Sequence, residues 1–339
     1  MQSELILKTY GLAANPDLEA LSFESEEDWH KLRQKGIGGS DIGAIMGLNK
    51  YSSPLQVYKS KTEGFVKDLS DNVNVRKGKD LESLIRTLYV APHFLQLGYK
   101  VQNLSHHSIV NKTYPWLRAN LDGIAQCIEA PMDYSKHFVI EIKFVSQWAE
   151  ENWNGEEYCG VPPSYYAQVQ EYMLVTGMRK AYVCAMFEST WECKFYEVPF
   201  NAVFVAKLIK DSKDFYDINM MMKIPPRVTI GIDKEDIIKK IEESKEIKET
   251  IPDASLNDKV VEYKSLGVQI KDLSKQQDAI KSEIVDAYLK GHIPTSPLLK
   301  VSVTSYTSER MDTAKFKEEQ PGLYKQYCKE SESIKVTIK

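Results

Sequence analysis

The chain has 339 residues, of which 42% are hydrophobic and 27% are charged, and its formal net charge is −4. This composition is that of a soluble globular protein with one large domain, or with one domain and an appendage. The negative net charge excludes a strongly positive electrostatic field over the whole surface, which would attract nucleic acid. It remains compatible with a local acidic cluster that binds metal ions. No apolar run approaches the roughly 20 residues that span a bilayer, and the N-terminus shows no signal-peptide pattern. The five cysteines form no CxxC pair, so we expect a cytoplasmic protein with reduced thiols and no membrane segment.

The first predicted helix leads into a glycine-rich turn. Ser25 is typical of an N-cap, and the turn spans residues 36–41 before a short helix that Gly47 would end. Free backbone N–H groups at the start of a helix, together with the Ser40 hydroxyl, favour an anion site. Arg33 lies one or two helical turns earlier, where it could clamp a terminal phosphate. The alternative is a tight, capped turn without a ligand.

A second amphipathic helix is predicted from Gly78 to Val90. Its apolar residues follow the spacing of one helical face and are Leu81, Leu84, Ile85, Leu88 and Tyr89. Glu82 lies on the edge of this stripe, so we expect its carboxylate to lean toward the core. The alternative is that Glu82 lies in the first turn only because its negative charge interacts favourably with the helix dipole.

Two strands are predicted at 123–128 and 138–145, joined as a hairpin. The second is apolar and β-branched, as in a strand buried on both faces, yet it contains Glu141 and Lys143. Strand side chains alternate with a period of two, so these two charges share a face. A hairpin centred near residue 133 places Asp122 across from Lys143 to within about one register step. Buried charges are costly unless they are paired or bind a metal, so the three side chains are predicted to surround one point.

The next helix, predicted from about Ser164 to Thr176 and ended by Gly177, carries Gln168 and Tyr172 on one face. This amide and this phenol could hydrogen-bond a ligand or the lysine. The alternative is a polar patch on a half-exposed helix. Strands are predicted at 181–187 and 193–198.

The character of the sequence changes after Pro225-Pro226, and we predict a domain boundary that separates 1–228 from 229–339. A helix is predicted from Asp233 to about 250 and a second from about 256 to 290, forming a helical hairpin over 230–291. The second helix has a heptad seam of alternating three- and four-residue spacings. Two short strands, at 298–303 and 334–338, are predicted around a helical turn at 313–319.

The pattern of Asp122 and Glu-x-Lys is that of a metal-dependent phosphodiesterase site. Carboxylate oxygens are the ligands that Mg²⁺ prefers, and two Mg²⁺ ions can neutralise the phosphate and activate water. Asp122 and Glu141 would hold the metal ions, assisted by the backbone carbonyl of Ile142. Lys143, with its pKa lowered by burial and by the metal charge, could position or deprotonate the attacking water. The alternative is a structural ion pair on a hairpin.

Six short motifs resemble, in their order, those of one nuclease family. They are Trp29-His30-Lys31-Leu32-Arg33, Gly38-Gly39-Ser40-Asp41, Gly78-Lys79-Asp80-Leu81-Glu82, Leu121-Asp122-Gly123, Glu141-Ile142-Lys143 and Ala167-Gln168-Val169-Gln170. Over roughly residues 25–200 the chain resembles the YqaJ-type viral recombinases of the lambda exonuclease family, within the PD-(D/E)XK nucleases. The resemblance implies an α/β (α+β) core with a central mixed sheet flanked by helices, followed here by the C-terminal helical extension.

The resemblance also implies an activity and its partners. We expect a 5′→3′ exonuclease that digests one strand of linear double-stranded DNA and leaves 3′ single-stranded tails for annealing recombination. It would use two Mg²⁺ ions, with Mn²⁺ as a substitute, and would act with a single-strand annealing protein of the RecT or Red-beta type. A ring-shaped homotrimer in a bacterial host cytoplasm, of phage or prophage origin, is expected.

The resemblance assigns roles to particular residues. Those carried over to the active centre are Glu82, Asp122, Glu141 and the Ile142 carbonyl as metal ligands, Lys143 as the catalytic lysine and Gln168 as its support. Arg33 and Ser40 would receive the 5′ phosphate, and we expect Lys77 and Lys79 to contact the DNA backbone.

Three alternatives stay open on the sequence. One is a RecB-like nuclease of another polarity, although the cysteines lack the spacing of an iron–sulfur cluster. Another is an endonuclease, and the third is an inactive core that binds DNA or recruits partners through its helical hairpin. The six histidines show no HxxxH or HExxH pattern, which argues against a zinc site.

Overall fold

A computed structural model describes residues 2–64, 71–104, 106–244, 252–296, 299–329, 333–335 and 338. The chain forms two compact units, Met1–Ile237 and Ile238–Lys339. The strands are β1 (Leu18–Ser22), β2 (Ile37–Gly38), β3 (Tyr99–Asn103), β4 (His107–Asn111), β5 (Leu117–Arg118), β6 (Gly123–Cys127), β7 (Phe138–Val145), β8 (Lys180–Phe187) and β9 (Cys193–Pro199).

The helices of the first unit surround this β structure. They are α1 (Gln2–Thr9), α2 (Glu26–Gln34), α3 (Gly39–Ile45), α4 (Pro54–Thr62), α5 (Val73–Ile85), α6 (Ala91–Gln96), α7 (Pro163–Thr176) and α8 (Ala202–Asp214), with α9 (Lys234–Ser244) reaching into the second unit. The second unit contains α10 (Ala254–Leu289), α11 (Thr313–Glu319) and α12 (Pro321–Tyr327).

The central sheet has five strands in the order β3-β6-β7-β8-β9. All neighbours are antiparallel except β7 and β8, which are parallel. A parallel pair needs a crossover connection, and α7 lies in this connection between β7 and β8. The sheet is therefore mixed and flanked by helices, which confirms the predicted fold class.

Strand β7 is buried on both faces because helices cover the sheet on each side. Phe138, Ile140 and Ile142 pack with Ile85, Val90 and Phe94 of the α5–α6 region. Val139 and Val145, on the other face, belong to the larger core that includes α3, α7 and α8. Glu141 and Lys143 alternate with the first set, so they face α7.

The pairing of β6 with β7 is antiparallel, as predicted, with Gly123 opposite Ile140. Continued by one residue, this register places Asp122 opposite Glu141, two residues from the predicted partner Lys143. The connection contains a short 3₁₀ turn at Tyr134–Lys136, and its asymmetry shifts the register away from a hairpin centred near residue 133. The two carboxylates thus become cross-strand neighbours.

Helix α5 differs from the prediction at both ends. It begins at Val73, where Asn72 caps it, and it passes into a π-helical turn at Arg86–Val90. Ile85 and Val90 are buried, whereas Leu84, Leu88 and Tyr89 are exposed. The predicted apolar stripe is therefore wrong at three positions, two of which lie in the wider turn.

The second unit is helical in its described residues. Residues 299–312 form no strand, so the predicted strand at 298–303 is wrong from residue 299 onward. The predicted helical turn at 313–319 is α11. Residues 245–251, which would connect the predicted helical hairpin, lie outside the described residues, as do 336 and 337 of the strand predicted at 334–338; the described residues 334, 335 and 338 form no strand. No helix in the described part of the chain is long and apolar enough to cross a membrane.

Candidate active site

Glu141 is the most deeply buried acid of the predicted site, with 1% of its surface exposed. Its Oε1 accepts hydrogen bonds from the Lys143 ammonium and from the Gln168 amide, the latter at 2.8 Å. Its Oε2 is buried and has no hydrogen-bond partner among the described residues. One oxygen is therefore fixed by two donors, while the other is left to a group outside the chain.

Asp122 lies between β5 and β6 and faces the middle of β7. Its Oδ2 accepts a hydrogen bond of 2.8 Å from the backbone N–H of Ile142, and its charge acts on the Glu141 carboxyl group. The backbone of β7 thus fixes Asp122, and the register fixes it beside Glu141. The structure brings together Asp122, Glu141 and Lys143, as the sequence predicted.

Burial and mutual repulsion make these acids hard to ionise. Burial, and then the charge of Asp122, raise the pKa of Glu141 to about 8. Burial also raises the pKa of Asp122, although the charge of Lys143 and the Ile142 hydrogen bond oppose it. Such a cluster attracts a proton or a cation, since either one relieves the repulsion.

Lys143 stays positively charged in this arrangement. Burial alone would lower the pKa of Lys143, but the charge of Glu141 outweighs it, and the pKa lies above its ordinary value. Its ammonium also lies 4.7 Å from the centre of the Tyr165 ring. The predicted lowering of this pKa included the charge of bound metal ions and stays a prediction. A charged ammonium can orient a phosphate oxygen or a water molecule but cannot accept a proton.

Helix α7 supports the site through Gln168 and Tyr172. The Gln168 amide donates to Glu141 Oε1 and, at 2.9 Å, to the Tyr172 hydroxyl. The Tyr172 ring is buried against the start of α3, where a Cβ added to Gly39 would lie 2.5 Å from Tyr172 Cε1. The sequence already placed Gln168 and Tyr172 on one helical face through their spacing of four residues. In the structure these two side chains connect the glycine-rich turn to the acid cluster.

Glu82 takes a different position from that of a preassembled ligand. Helix α5 covers the face of the sheet opposite to α7, and Glu82 Oε1 accepts a hydrogen bond from Arg86 one helical turn later. Burial, then the charge of Asp122, still raise the pKa of Glu82. Its charge therefore reaches the cluster, while its carboxylate is held by an arginine that the sequence argument did not include. The i, i+4 spacing of Glu82 and Arg86 was the available signal.

The donor set fits a hard divalent cation in part. The orphaned, buried Oε2 of Glu141 beside the carboxylate of Asp122 provides two oxygen donors of the kind that Mg²⁺ binds. In the described part of the chain, no three His, Cys, Asp or Glu side chains are already arranged to hold a metal ion. Asp122 and Glu141 would hold the cation, and Glu82 would complete the set on releasing Arg86.

The predicted anion turn is built around Asp41. The Arg33 guanidinium donates to Ser40 Oγ and to Asp41 Oδ1, both at 3.1 Å, and Asp41 Oδ2 accepts from the Gly38 N–H at 2.9 Å. Lys61, whose side chain is 2% exposed, contacts Asp41 Oδ2 at 2.6 Å. Arg33 and Ser40 are thus adjacent, as predicted, whereas the buried Lys61 was missed because no local spacing links it to the turn.

The short strands β2 and β5 position this turn relative to the acids. Gly38 pairs with Arg118 in a parallel register, four residues before Asp122. Asn120 lies between them, with its Nδ2 atom 3.9 Å from the position of a Cβ on Gly38 and its buried Oδ1 unpartnered among the described residues. Sequence analysis missed Asn120, which carries no motif of its own.

The two lysines predicted to contact DNA both lie on α5. Lys77 forms an ion pair with Glu188, with 2.5 Å between Nζ and Oε1, and Lys79 is exposed. Glu188 also accepts from the backbone N–H of Gln147 just beyond β7. Lys77 is therefore tied to the rim of the sheet, where a DNA phosphate would have to compete with Glu188.

Adjacent strands of a mixed sheet that present an aspartate and a Glu-x-Lys to one point define the site of a PD-(D/E)XK nuclease. Residues 28–179 match the YqaJ-like viral recombinase domain. Protein YqaJ of Bacillus subtilis (strain 168) is 27% identical over 326 residues, covering 93% of this chain and 94% of that protein. Both likenesses support the family that the motifs of the sequence predicted.

Solved structures overlap the chain more loosely. The alkaline exonuclease LHK-Exo from Laribacter hongkongensis is 17% identical with a TM-score of 0.45, covering 64% of this chain and 98% of that one. A phage-related exonuclease from Haemophilus somnus 129PT is 12% identical with a TM-score of 0.41, covering 58% of this chain and 100% of that one. The support for the family comes from the sequence findings and not from these overlaps.

Proposed function

We propose that this protein is a Mg²⁺-dependent 5′→3′ exonuclease that digests one strand of linear double-stranded DNA. The observation that carries the metal-dependent hydrolysis is the buried, unpartnered Oε2 of Glu141 beside Asp122. An unpaired carboxylate oxygen inside a protein is costly, and a divalent cation is the partner that a phosphodiester reaction also requires. Divalent ions in such a site neutralise phosphate charge and acidify water.

The protein's own residues would divide the remaining work. Asp122 and Glu141 hold the cation donors in place, because the Ile142 N–H and the Gln168 amide fix one oxygen of each. Lys143 stays protonated and lies next to Glu141, so its ammonium would orient the attacking water and contact the scissile phosphate. The Ile142 carbonyl follows Glu141 directly and would add a neutral donor.

The direction of digestion is inferred from the turn at Arg33 and Ser40. Their side chains already meet at 3.1 Å, so a terminal phosphate could replace this contact with hydrogen bonds to both. Tyr172 and Gln168 connect this turn to Glu141. A duplex end held by its 5′ phosphate would therefore present the next phosphodiester bond to the acids.

The recombination role follows from the family. Digestion of one strand would leave a 3′ tail, and a single-strand annealing protein of the RecT or Red-beta type would be the partner that receives it. A ring-shaped homotrimer would keep the enzyme bound to the DNA during digestion. Both the partner and the ring are proposals carried over from the resemblance.

Linear duplexes labelled at either end, with and without a 5′ phosphate, test the activity beside a closed circle. We expect Mg²⁺, and Mn²⁺ in its place, to release nucleotides from 5′-phosphorylated ends and to leave the circle intact. Nicking of the circle would show an endonuclease instead, and release from the 3′ label first would reverse the polarity.

Single substitutions test the assigned roles. Glu141→Gln and Lys143→Ala should lower nucleotide release by at least about 100-fold, as expected when a transition-state contact is lost, while Glu192→Gln on the surface should not. Arg33→Ala should reduce the preference for phosphorylated over hydroxyl ends, whereas Arg227→Ala, at an exposed arginine, should leave the ratio unchanged. Turnover of Glu141→Gln within a few-fold of the original protein would refute the metal assignment.

A further inference from the structure

Helix α10 exposes an apolar seam that is continuous from Tyr263 to Leu273, with Leu256 one heptad earlier and Lys259 at the d position between Leu256 and Tyr263. It has 36 residues, which corresponds to about 54 Å at 1.5 Å per residue. Seven large apolar side chains recur at spacings that alternate between heptad positions a and d, and each is 44–64% exposed: Leu256, Tyr263, Leu266, Ile270, Leu273, Ile280 and Ile284. An isolated helix is marginal in water, and these side chains stay exposed among the described residues, so we expect another surface to cover the seam.

The period of the seam limits what can cover it. A strict seven-residue repeat drifts by about 20° per heptad around a straight helix. Over the four heptads from Leu256 to Ile284 the drift reaches roughly 80°, so a flat surface or a straight helix could not follow it. Only a second helix that supercoils with α10 keeps the whole seam covered.

The residue types on the seam favour a second copy of the same helix. At the centre of the seam, Ile270 occupies an a position between Leu266 and Leu273 at d positions. This combination favours a parallel coiled coil of two helices. Gln277 occupies the next a position. In a parallel pair in register, each a residue faces its own counterpart, so Gln277 would pair with Gln277 and both amides would be satisfied. In an antiparallel pair, or against a different helix, the amide would face an apolar residue.

We propose that α10 forms a parallel, two-stranded coiled coil with α10 of a second copy of this chain. The seven apolar residues expose on the order of 800 Å² per helix, which is about what one partner contributes to a standard protein interface. The flanking positions do not oppose the pairing, since Gln276 at g would meet Lys281 at e of the partner helix without a like-charge contact. This inference does not depend on the proposed nuclease activity.

The mass of the assembly in solution tests the proposal with two matched substitutions. Ile270→Asp places a charge on the seam, whereas Val268→Asp places the same charge two residues away, on a side chain that is 70% exposed outside the seam. We expect Ile270→Asp to halve the mass measured by light scattering or sedimentation, and Val268→Asp to keep the mass of the original full-length protein. With the proposed ring of three chains, the pairing would join two rings, and the substitution should leave single rings.

Disulfide trapping tests the direction and register. Gln277→Cys should form a covalent dimer under mild oxidation, because a-position residues face each other in a parallel pair. Lys275→Cys, on the outer side of the helix, should not exceed the background given by the native cysteines. Peptide mapping identifies the bond between the two copies of position 277.

The fold of the first unit can be followed separately. All five tryptophans, Trp29, Trp116, Trp148, Trp153 and Trp191, belong to it, so thermal unfolding read by their emission should be the same for both aspartate variants. If Ile270→Asp leaves the mass unchanged, or if Gln277→Cys cross-links no better than Lys275→Cys, the proposal is overturned. A mass reduced to one third would also overturn it, since the seam would then join three copies.

Discussion

A single added methyl group at Gly39 tests how tightly the glycine-rich turn and the acid cluster are joined. In Gly39→Ala the new Cβ would lie 2.5 Å from Tyr172 Cε1 and 3.0 Å from both Tyr172 Cζ and Gln168 Cγ. Ordinary contacts between carbon atoms lie at about 3.5–4.0 Å, so the turn and α7 must separate by about 1 Å. Tyr172 is only 3% exposed, and its ring has no solvent to move into.

The cost can be worked from this overlap. Overpacking a buried site by one methyl group typically costs about 1–3 kcal/mol. For a unit of about this size, each kcal/mol lowers the melting temperature by about 2–4 °C. We therefore expect Gly39→Ala to melt roughly 2–12 °C lower, and to lose nuclease activity as well because the displaced Gln168 holds Glu141.

Gly78→Ala is the matched control for this assay. Gly78 lies inside α5, and a Cβ there meets no atom within 4 Å. Replacing a helical glycine by alanine without a clash should stabilise the protein by about 0.5–1 kcal/mol. Thermal unfolding followed by tryptophan emission gives both values. The reasoning fails if Gly39→Ala melts within 1 °C of the original protein, or if the two variants shift in the same direction.

Three further results are expected. Burial would raise the pKa of Asp41, but the charges of Lys61 and Arg33 lower it to about 2, so its contribution to stability is complete above about pH 4 and is lost as the pH falls through 2. Asp41→Asn should therefore cost about 3–5 kcal/mol at neutral pH, because it leaves Lys61 buried without its carboxylate; urea unfolding within 1 kcal/mol of the original protein would contradict this. Tyr172→Phe should lower turnover several-fold without changing the preference for 5′-phosphorylated ends, since the ring under Gly39 remains and only the hydroxyl is lost; a changed preference would argue against it. Mg²⁺ should raise the melting temperature of the original protein above its value in EDTA but should not raise that of Glu141→Gln, and equal shifts in both proteins would exclude Glu141 as a ligand.

Local patterns accounted for much of the site. The apolar run of β7 could be recognised because its composition is fixed by burial on both faces, and the period of two placed Glu141 and Lys143 together. The spacing of four residues likewise placed Gln168 and Tyr172 on one face of α7. These inferences needed only the geometry of a single strand or helix.

Long-range features could not be read in the same way. The register of Asp122 depended on the shape of the connection between β6 and β7, and was two residues from the expected pairing. The distance of Glu82 from the other acids depended on which face of the sheet α5 covers, although its pairing with Arg86 had a local i, i+4 signal. Lys61 reaches Asp41 from another helix, and no sequence period connects residues that meet only in the folded chain.

The acid cluster links the stability of this protein to its proposed activity. Lys143 and Gln168 both donate hydrogen bonds to Oε1 of Glu141, so neither of them compensates for the loss of water around Oε2. An unpartnered buried oxygen costs about 1–3 kcal/mol, and the repulsion from Asp122 adds to this cost. A substitution that removes the Glu141 charge should abolish cation binding, and it would also leave the Lys143 ammonium without its carboxylate partner. Loss of the stabilisation by Mg²⁺ therefore distinguishes a metal ligand from a purely structural ion pair, whose loss would destabilise the chain equally with and without Mg²⁺.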